Sequence, residues 1–346
     1  MRRLLTALAC GVLGAGMLAG PAPVEAAPAK WRTTVFAMVP SPGYPAYVHK
    51  QRNGRVYVGT YIASGSTQPS RVFEWSAGGM LLRSWPVPHQ DLTTDHGVQV
   101  ANQTRDGRLV ILETSRSLVM TLNPKTGKFR RIARIPGGGV PNYATWGPQN
   151  ALYVTDYADG VIWKVSRRGK VTRWFDSPAL DGVEFGTTGI VYRRGRGDFL
   201  VSQQTSATGG SPTNGYLYRL TTRSHGRAGT LSTLWTSGPG ELPDGFGIGR
   251  SGHVYVAMAG LSAQLVELSA SGAELDRFPD TPLTGDNGSP IPFDTPCSAT
   301  FSGTKVLVAN QSAVQGDASH QAVLAVEVGE RGRAPYLPKK ATFPPR

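Results

Sequence analysis

Short apolar runs alternate with polar turns along most of the chain. Six times a polar turn, usually containing Gly, leads into a β-branched or aromatic run: "NGRVYVGT" from residue 53, "DGRLVILET" from 106, "QNALYVTD" from 149, "RGDFLVSQ" from 196, "SGHVYVAM" from 251 and "SGTKVLVAN" from 302. A second run follows each of them, as in "GVIWKVS", and often a third after another Gly turn, as in "GKVTRWF". Long segments of helical periodicity are absent. The pattern predicts repeated units of three or four short antiparallel strands.

The spacing of these units predicts the fold. Their starts lie 43 to 55 residues apart, which is typical of propeller blades. One small sheet cannot bury both of its faces, whereas a closed ring of sheets can. A β-sandwich is the alternative, but it gives no reason for the same unit to recur six times. We therefore expect an all-β, six-bladed β-propeller.

The two ends of the chain predict how the ring closes. The last unit, residues 293–329, lacks a convincing fourth strand, and "TTVFAMV" at 33–39 precedes the first unit without a partner. We expect this N-terminal strand to complete the last blade.

The N-terminus has the pattern of a secretory signal peptide. A basic pair is followed by an apolar stretch over 4–19 and by the small-residue pattern of Val24 and Ala26. The apolar stretch is shorter than the roughly 20 residues that span a bilayer, so a membrane span is not expected. The sequence predicts a signal peptide over 1–26 and a secreted single domain over 27–346.

The charge balance limits the partners. The chain carries 36 Lys and Arg against 23 Asp and Glu, a formal net charge of +13. Such a balance favours anionic surfaces, so a cell-wall or other surface polymer is one expected partner. The basic residues are scattered, and neither a recognition-helix pattern, a zinc spacing nor a stacking motif accompanies them, which excludes a specific nucleic-acid partner.

Cys297 is the only cysteine of the expected mature chain, so an intramolecular disulfide is excluded and stability must come from an extensive core. We expect a monomer. Cys297 could be a nucleophile at the channel, but no His lies near it in sequence, which favours a buried small apolar residue.

The strand that precedes each repeated turn is the innermost strand of its blade, and ligands of propellers bind at a mouth of the channel that these strands enclose. The six inner strands begin in "YPAYVHKQR" at 44, "DHGVQVANQ" at 95, "PNYATWGP" at 141, "TTGIVYRR" at 187, "PDGFGIGR" at 243 and "TPCSATF" at 295. We expect Asp244 to meet Asn142 and Thr188 at one mouth, with His96 near the same level and Tyr47 and Tyr143 in an aromatic wall. Simpler roles remain open: Asp244 as a turn residue, Asn142 as an Asx-turn and His96 as a packing residue.

The stretch "LPDGFGIGRSGHVYVAMAGLSAQLVELSASGAELDRFP" resembles the fifth blade of the senescence marker protein/gluconolactonase group of six-bladed propellers, and "TPCSATFSGTKVLVAN" is similar to its sixth. The resemblance implies one calcium or other divalent ion at the channel mouth. By position it makes Asp244 a metal ligand and general base, and Asn142 a substrate contact. Thr188 stands where the group has a metal-binding Asn, and Ala46 stands where it has a metal-binding Glu.

These replacements bear on the chemistry of the site. Calcium takes six to eight oxygen ligands, with carboxylates supplying most of the charge. Asp244, Asn142 and Thr188 supply one carboxylate, one amide oxygen and one hydroxyl. Asp95 or His96 could add a ligand. Alternatively, His96 and Asp244 could act as an acid–base pair without a metal, or His96 could bind a softer ion such as zinc.

Three functions are consistent with the sequence. The first is a secreted hydrolase that acts on a small lactone or related ester through Asp244 and a divalent ion, calcium above all. The second is a non-catalytic propeller that binds a glycan, a cell-wall polymer or a protein. The third is a lyase on the same scaffold. The absence of the first-blade Glu favours the second and third.

Overall fold

A computed structural model describes residues 29–345, so the predicted signal peptide lies outside the described residues. Within that range the regular structure consists of 24 strands and five short 3₁₀ turns. The 3₁₀ turns are Pro136–Gly138, Pro148–Asn150, Pro178–Leu180, Ser224–Gly226 and Ala318–His320. No helix in this part of the chain has the length and apolar character needed to cross a membrane.

The strands pair antiparallel in groups of four. The first three groups are β2 (Tyr44–Lys50), β3 (Val56–Ile62), β4 (Arg71–Trp75) and β5 (Leu81–Pro86); β6 (His96–Gln103), β7 (Leu109–Glu113), β8 (Leu118–Asn123) and β9 (Lys128–Arg134); and β10 (Pro141–Trp146), β11 (Leu152–Asp156), β12 (Val161–Val165) and β13 (Val171–Asp176). The other three are β14 (Thr187–Arg193), β15 (Asp198–Gln203), β16 (Asn214–Thr222) and β17 (Ala228–Pro239); β18 (Pro243–Ile248), β19 (Val254–Met258), β20 (Gln264–Leu268) and β21 (Glu274–Phe278); and β22 (Pro296–Ser302), β23 (Lys305–Asn310), β24 (Ala322–Glu327) and β1 (Thr33–Met38). A two-residue ladder between β3 and β6 joins the first two groups into one sheet.

The N-terminal strand completes the last group, as the sequence predicts. β1 pairs with β24, with Thr33 opposite Val326 and Met38 opposite Ala322. Val35 packs against the apolar cluster that contains Leu324. The N-terminal strand β1 is therefore the fourth strand of the last sheet, whose other three strands are β22, β23 and β24.

The first strand of each group lies at the centre of the molecule. These inner strands contact one another in the order β2, β6, β10, β14, β18, β22 and back to β2. β6 and β18 are buried along their whole length, whereas the fourth strands of their groups, β9 and β21, are partly exposed. Apolar clusters fill the space between neighbouring groups. This radial arrangement is that of a β-propeller, so the predicted fold class is confirmed.

The C-terminal segment, residues 330–345, crosses the end of the channel at which the inner strands terminate. The Arg333 N–H donates to the Ile248 carbonyl at 2.8 Å, and the Arg105 N–H donates to the Ala341 carbonyl at 2.6 Å. Phe343 is buried beside Trp146, with ring centroids 5.2 Å apart. This end of the channel is therefore covered, and the opposite end, at which the inner strands begin, is called the channel mouth below.

Candidate active site at the channel mouth

The starts of the inner strands share one local irregularity. The register shifts near the first residues of β2, β10, β14, β18 and β22. A β-bulge bends its strand and changes the direction of the side chains around it. The bulge in β18 lies between Pro243 and Phe246 and contains Asp244, whose residue surface is 7% exposed.

Both carboxylate oxygens of Asp244 accept hydrogen bonds from distant parts of the chain. The Tyr47 hydroxyl donates to Oδ1, and Gln204 Nε2 donates to Oδ2 at 3.2 Å. The Thr188 hydroxyl and the Gly245 N–H also favour the ionised carboxylate through hydrogen bonding. Asp244 is therefore tied to the first and fourth groups of strands.

Burial dominates the acidity of this carboxyl group. It raises the pKa of Asp244 from 3.8 to about 7, against the opposing effect of the hydrogen bonds from Tyr47, Thr188 and Gly245. Near neutral pH both the acid and the carboxylate are therefore populated, which is the condition for a group that accepts and returns a proton in one reaction cycle. Burial and the Asp244 charge raise the pKa of Tyr47 well above its usual value, so its phenol stays a hydrogen-bond donor.

The position of Tyr47 depends on its neighbours. Its ring stacks on Tyr143, with centroids 4.4 Å apart and an interplanar angle of 28°. A Cβ atom at position 245 would lie 2.6 Å from Tyr47 Cε1. The absence of a side chain at Gly245 therefore leaves room for the Tyr47 ring, so that its hydroxyl can reach Asp244.

Further polar side chains at the mouth come from the ends of second strands and, for Gln99, from the inner strand β6, and the sequence analysis missed them. The Tyr157 hydroxyl donates to Gln204 Oε1 at 2.9 Å, and Gln99 Nε2 donates to the Tyr61 hydroxyl at 3.0 Å. Burial raises the pKa of both Tyr61 and Tyr157, and the Asp244 charge adds to each rise, so the two phenols lie within its field. Antiparallel pairing could have predicted the side chains that come from second strands, because the end of each second strand lies beside the start of its inner strand.

The other predicted ligands lie in inner strands. The Thr188 hydroxyl also contacts Ser202 Oγ at 3.0 Å. Asn142 is buried, and its Oδ1 has no hydrogen-bond partner among residues 29–345. The described contacts thus bring Asp244, Tyr47 and Thr188 together and reach Tyr143 through Tyr47, but none of them joins Asn142 to Asp244.

His96 does not pair with Asp244. The residue is fully buried, with Nδ1 2.8 Å from the Thr94 carbonyl and Nε2 2.9 Å from the Gln68 carbonyl. The expected acid–base pair is therefore not formed, because loop backbone on two sides holds both ring nitrogens. Asp95 accepts a hydrogen bond from the Ser64 N–H at 2.6 Å, which fixes the same pair of loops.

The donor set around Asp244 does not fit calcium. It contains one carboxylate, whose two oxygens already accept hydrogen bonds from Tyr47 and Gln204. Ala46 is a buried apolar residue in the first inner strand, and the next residue, Tyr47, brings a hydroxyl to the carboxylate instead. Calcium requires several oxygens and more negative charge than one carboxylate supplies.

A different group of possible ligands lies at the covered end of the channel. His253, Glu267 and Glu330 place one ligand atom each within 4.8 Å of one another. The Tyr255 hydroxyl lies 3.0 Å from an oxygen of each of the two carboxylates, and Lys30 Nζ lies 2.6 Å from Glu267 Oε2. Hydrogen bonds and an ion pair already compensate these charges and link the C-terminal segment to β19 and β20.

Below Tyr143 the inner strands enclose a cavity of about 300 Å³. Its wall includes His49, Phe246 and Arg193, and residues 331–335 close it. Burial lowers the pKa of His49 to about 4, so its imidazole is neutral at physiological pH. Arg193 is paired with Asp198 through two contacts of 2.8 Å.

Cys297 is fully buried in an apolar cluster beside the mouth. Burial and the Asp244 charge raise the pKa of its thiol well above the usual value. A thiol that ionises so reluctantly is a poor nucleophile, which agrees with the packing role expected for it.

Neither a family model nor a curated protein sequence matches the chain. Solved structures do resemble it. A gluconolactonase from Xanthomonas campestris has a TM-score of 0.59 at 14% identity, covering 86% of this chain and 88% of its own. The calcium-binding protein regucalcin from Agrobacterium tumefaciens has a TM-score of 0.59 at 16% identity, covering 88% and 98%. Virginiamycin B lyase from Staphylococcus aureus has a TM-score of 0.56 at 16% identity, covering 84% and 82%.

At these identities the comparisons establish the propeller fold and nothing finer. The fold is shared by hydrolytic and lyase enzymes, and one scaffold supports several chemistries. The residues at the channel mouth, and not the fold, therefore determine which chemistry this protein can perform.

Proposed function

We propose that this protein is an enzyme that hydrolyses a lactone or a related ester, with Asp244 as its general base. The observation that carries the proposal is the buried carboxyl group of Asp244, whose pKa of about 7 lies near the pH at which such a base must work. The gluconolactonase neighbour supports the substrate class through its fold.

The arrangement suggests a sequence of proton transfers. Ionised Asp244 takes a proton from a water molecule as the water oxygen bonds to the ester carbonyl carbon. The carbonyl π electrons move to oxygen and form a tetrahedral oxyanion. Tyr61 accepts a hydrogen bond from Gln99, so its own hydroxyl hydrogen can point to the oxyanion. The intermediate then expels the alkoxide, which takes the proton back from Asp244, and a lactone ring opens to a hydroxy acid.

Replacement of one carboxyl oxygen tests the proposal. Asp244→Asn keeps the size of the side chain but cannot accept the proton, so hydrolysis of a panel of lactones and aryl esters should fall by about 10²- to 10⁴-fold. Asp176→Asn is the matched control, since Asp176 lies on the outer strand β13 with a side chain that is 58% exposed. Equal rates for wild type and Asp244→Asn, or the absence of turnover on the whole panel, would contradict the proposal. Ligand-induced stabilisation without turnover would then favour a binding propeller.

An elimination is the second candidate. The observation that favours it is the pairing of Asp244 with Tyr47 in a donor set that does not fit calcium, because a base alone can remove a proton from carbon. The lyase neighbour shares this fold. In such a step the carbon–hydrogen electrons form a C=C bond and the ester C–O bond breaks to release a carboxylate. Turnover in H₂¹⁸O separates the two: hydrolysis places ¹⁸O in the product acid, whereas elimination does not and creates a new alkene absorbance.

We also propose that the enzyme acts outside the cytoplasm after removal of residues 1–26. The basic pair, the apolar stretch and the small residues before Ala27 support this location. N-terminal sequencing of secreted protein should begin at Ala27. An intact Met1 in the membrane fraction would contradict export.

A further inference from the structure

An apolar groove lies on the mouth face of the propeller. Its volume is about 570 Å³, within the range of small-molecule sites. Nine large apolar residues are exposed in the described chain, and five of them line this groove. They are Val183, Phe185, Leu261, Leu283 and Val314, with exposures of 42%, 38%, 69%, 70% and 72%.

Four loops at the mouth contribute these side chains. They precede β14, join β19 to β20, precede β22 and join β23 to β24. Leu242, Ala259, Ala263 and Phe293 also line the groove, so most of its wall is apolar, with polar side chains such as Glu184, Asp294 and Gln315 among the lining residues. Exposing so much apolar surface in one concave place is unfavourable unless a ligand covers it.

Hydrogen bonds connect the groove to the catalytic carboxylate. Thr205 Oγ1 lies within hydrogen-bonding distance of the carbonyl oxygens of Val183 and Phe185, at 2.9 and 2.7 Å. The residue before it, Gln204, donates to Asp244 Oδ2 at 3.2 Å. On the other wall Leu242 precedes the Pro243–Asp244 pair. Asp244 is not itself among the lining residues. However, Thr205, the neighbour of its hydrogen-bond partner Gln204, lines the groove, and so does Leu242, two residues before Asp244.

We propose that the groove binds the apolar part of the substrate, so that the enzyme acts on lactones or esters with a long alkyl or aryl substituent. This inference rests on the proposed function, because it assigns the reacting ester to Asp244 and the substituent to the groove. A concave site of this volume fits a single chain or ring better than a protein surface, which requires about 1,000 Å² of complementary area.

A series of γ-lactones tests the proposal. From γ-butyrolactone to γ-octalactone and γ-dodecalactone, each methylene group that enters the groove should raise kcat/KM by a factor of about three to four. The change should appear mainly in KM, since the substituent takes no part in the chemical step. Leu261→Asp places a charge in the groove and should remove this dependence on chain length. Leu275→Asp is the matched control, because Leu275 is 51% exposed on the outer strand β21 and should keep it.

A binding measurement separates this inference from the proposed function. N-phenyl-1-naphthylamine should fluoresce on binding to both wild type and Asp244→Asn, γ-dodecalactone should displace it, and Leu261→Asp should bind it at least tenfold more weakly. If no lactone is hydrolysed but this pattern holds, the groove remains an apolar ligand site and only the proposed reaction fails. If lactones are hydrolysed at rates independent of chain length, the inference is overturned and the reaction stands. A dimer in solution that Leu261→Asp dissociates would also overturn it, in favour of a second copy of the chain as the occupant.

Discussion

The Tyr47 hydroxyl donates a hydrogen bond to Asp244 Oδ1 across 197 positions of sequence. Tyr47 lies in β2 and Asp244 in β18, and the inner strand β22 lies between these two strands in the ring. The phenol comes from the residue after Ala46, the position at which the resemblance places a metal-binding Glu. The strand that supplies a metal ligand in the resembled group thus supplies a hydrogen-bond donor to Asp244 in this protein.

Removing this donor should change the pH dependence of activity. The hydrogen bond from Tyr47 lowers the pKa of Asp244, so Tyr47→Phe should raise that pKa above about 7. The base must be ionised to act, and each unit of increase leaves about tenfold less carboxylate at pH values below the pKa. We expect the acidic limb of the kcat/KM profile to move to higher pH, with rates that approach those of wild type in alkali.

Tyr143→Phe is the matched control for that profile. It keeps an aromatic ring stacked on Tyr47 and removes a hydroxyl that makes no described contact with Asp244. The control should keep the acidic limb of wild type. Identical profiles for Tyr47→Phe and wild type would show that the phenol does not tune the base.

Asp244→Asn should change how stability depends on pH. The folded-state pKa of about 7 lies above the unfolded value of 3.8, so the folded protein holds this proton more tightly. Its contribution to stability is complete below about pH 4 and is lost as the pH rises to about 7. The loss is on the order of 4 kcal/mol.

Urea unfolding between about pH 4 and pH 8 measures this effect. The neutral amide that Asp244→Asn introduces does not titrate, so the difference in unfolding free energy should move in favour of this variant as the pH rises and then stay constant. Asp176→Asn, which alters an exposed side chain, should show a much smaller change. Parallel curves for wild type and Asp244→Asn would mean that the carboxyl group titrates normally.

The repeated sequence unit predicts most of the fold. Gly turns followed by runs such as "HVYVAM" place the strands, and the unpaired segment at 33–39 predicts the pairing of β1 with β24. The C-terminal segment was not predicted. It has no alternating pattern, and its position depends on individual contacts such as those of Phe343 with Trp146.

In the site, too, local features could be predicted from the sequence, whereas contacts between distant residues could not. The importance of Asp244 follows from its place at the start of an inner strand, which is a local property of the sequence. Its hydrogen bond to Tyr47 depends on the close packing of the Tyr47 ring against Gly245, and these two residues come together only when the ring of strands closes. His96 also begins an inner strand, but the backbone of two loops determines the direction of its ring. Sequence patterns therefore predict the level of a residue in the channel better than its partner.

Calcium should have little effect on this protein. The predicted ligand set holds a single carboxylate, which is too little negative charge for a calcium site, so millimolar calcium should neither raise Tm nor increase activity, and EDTA should not abolish activity. A rise in Tm that depends on calcium concentration and disappears in Asp244→Asn would restore the metal site, since a ligand that binds the native state stabilises it.

Gly245→Ala should displace Tyr47. The added methyl carbon would lie 2.6 Å from Tyr47 Cε1 and 2.9 Å from the Cys297 carbonyl oxygen. The Cys297 oxygen belongs to the backbone, so moving it away costs more free energy than rotating a side chain. We expect a loss of about 1–3 kcal/mol of stability and a pH profile that shifts in the direction of Tyr47→Phe. Gly210→Ala is the control, because a Cβ at that position meets nothing within 4 Å. A Gly245→Ala variant with the stability and profile of wild type would contradict the close approach.

Ring closure through β1 should support the whole domain. Ala37 is 8% exposed and packs into a cluster with Val323 of β24, whereas the next residue, Met38, is 46% exposed on the opposite face of the strand. Ala37→Asp buries a carboxyl group without a partner and should cost about 3 kcal/mol or more. Met38→Asp should stay within about 0.5 kcal/mol of wild type, since its side chain keeps contact with water. Because β1 closes the ring, the loss in Ala37→Asp should appear as a lower midpoint of a single cooperative transition. A separate early transition confined to the last group of strands would show instead that the ring stays folded without its N-terminal strand.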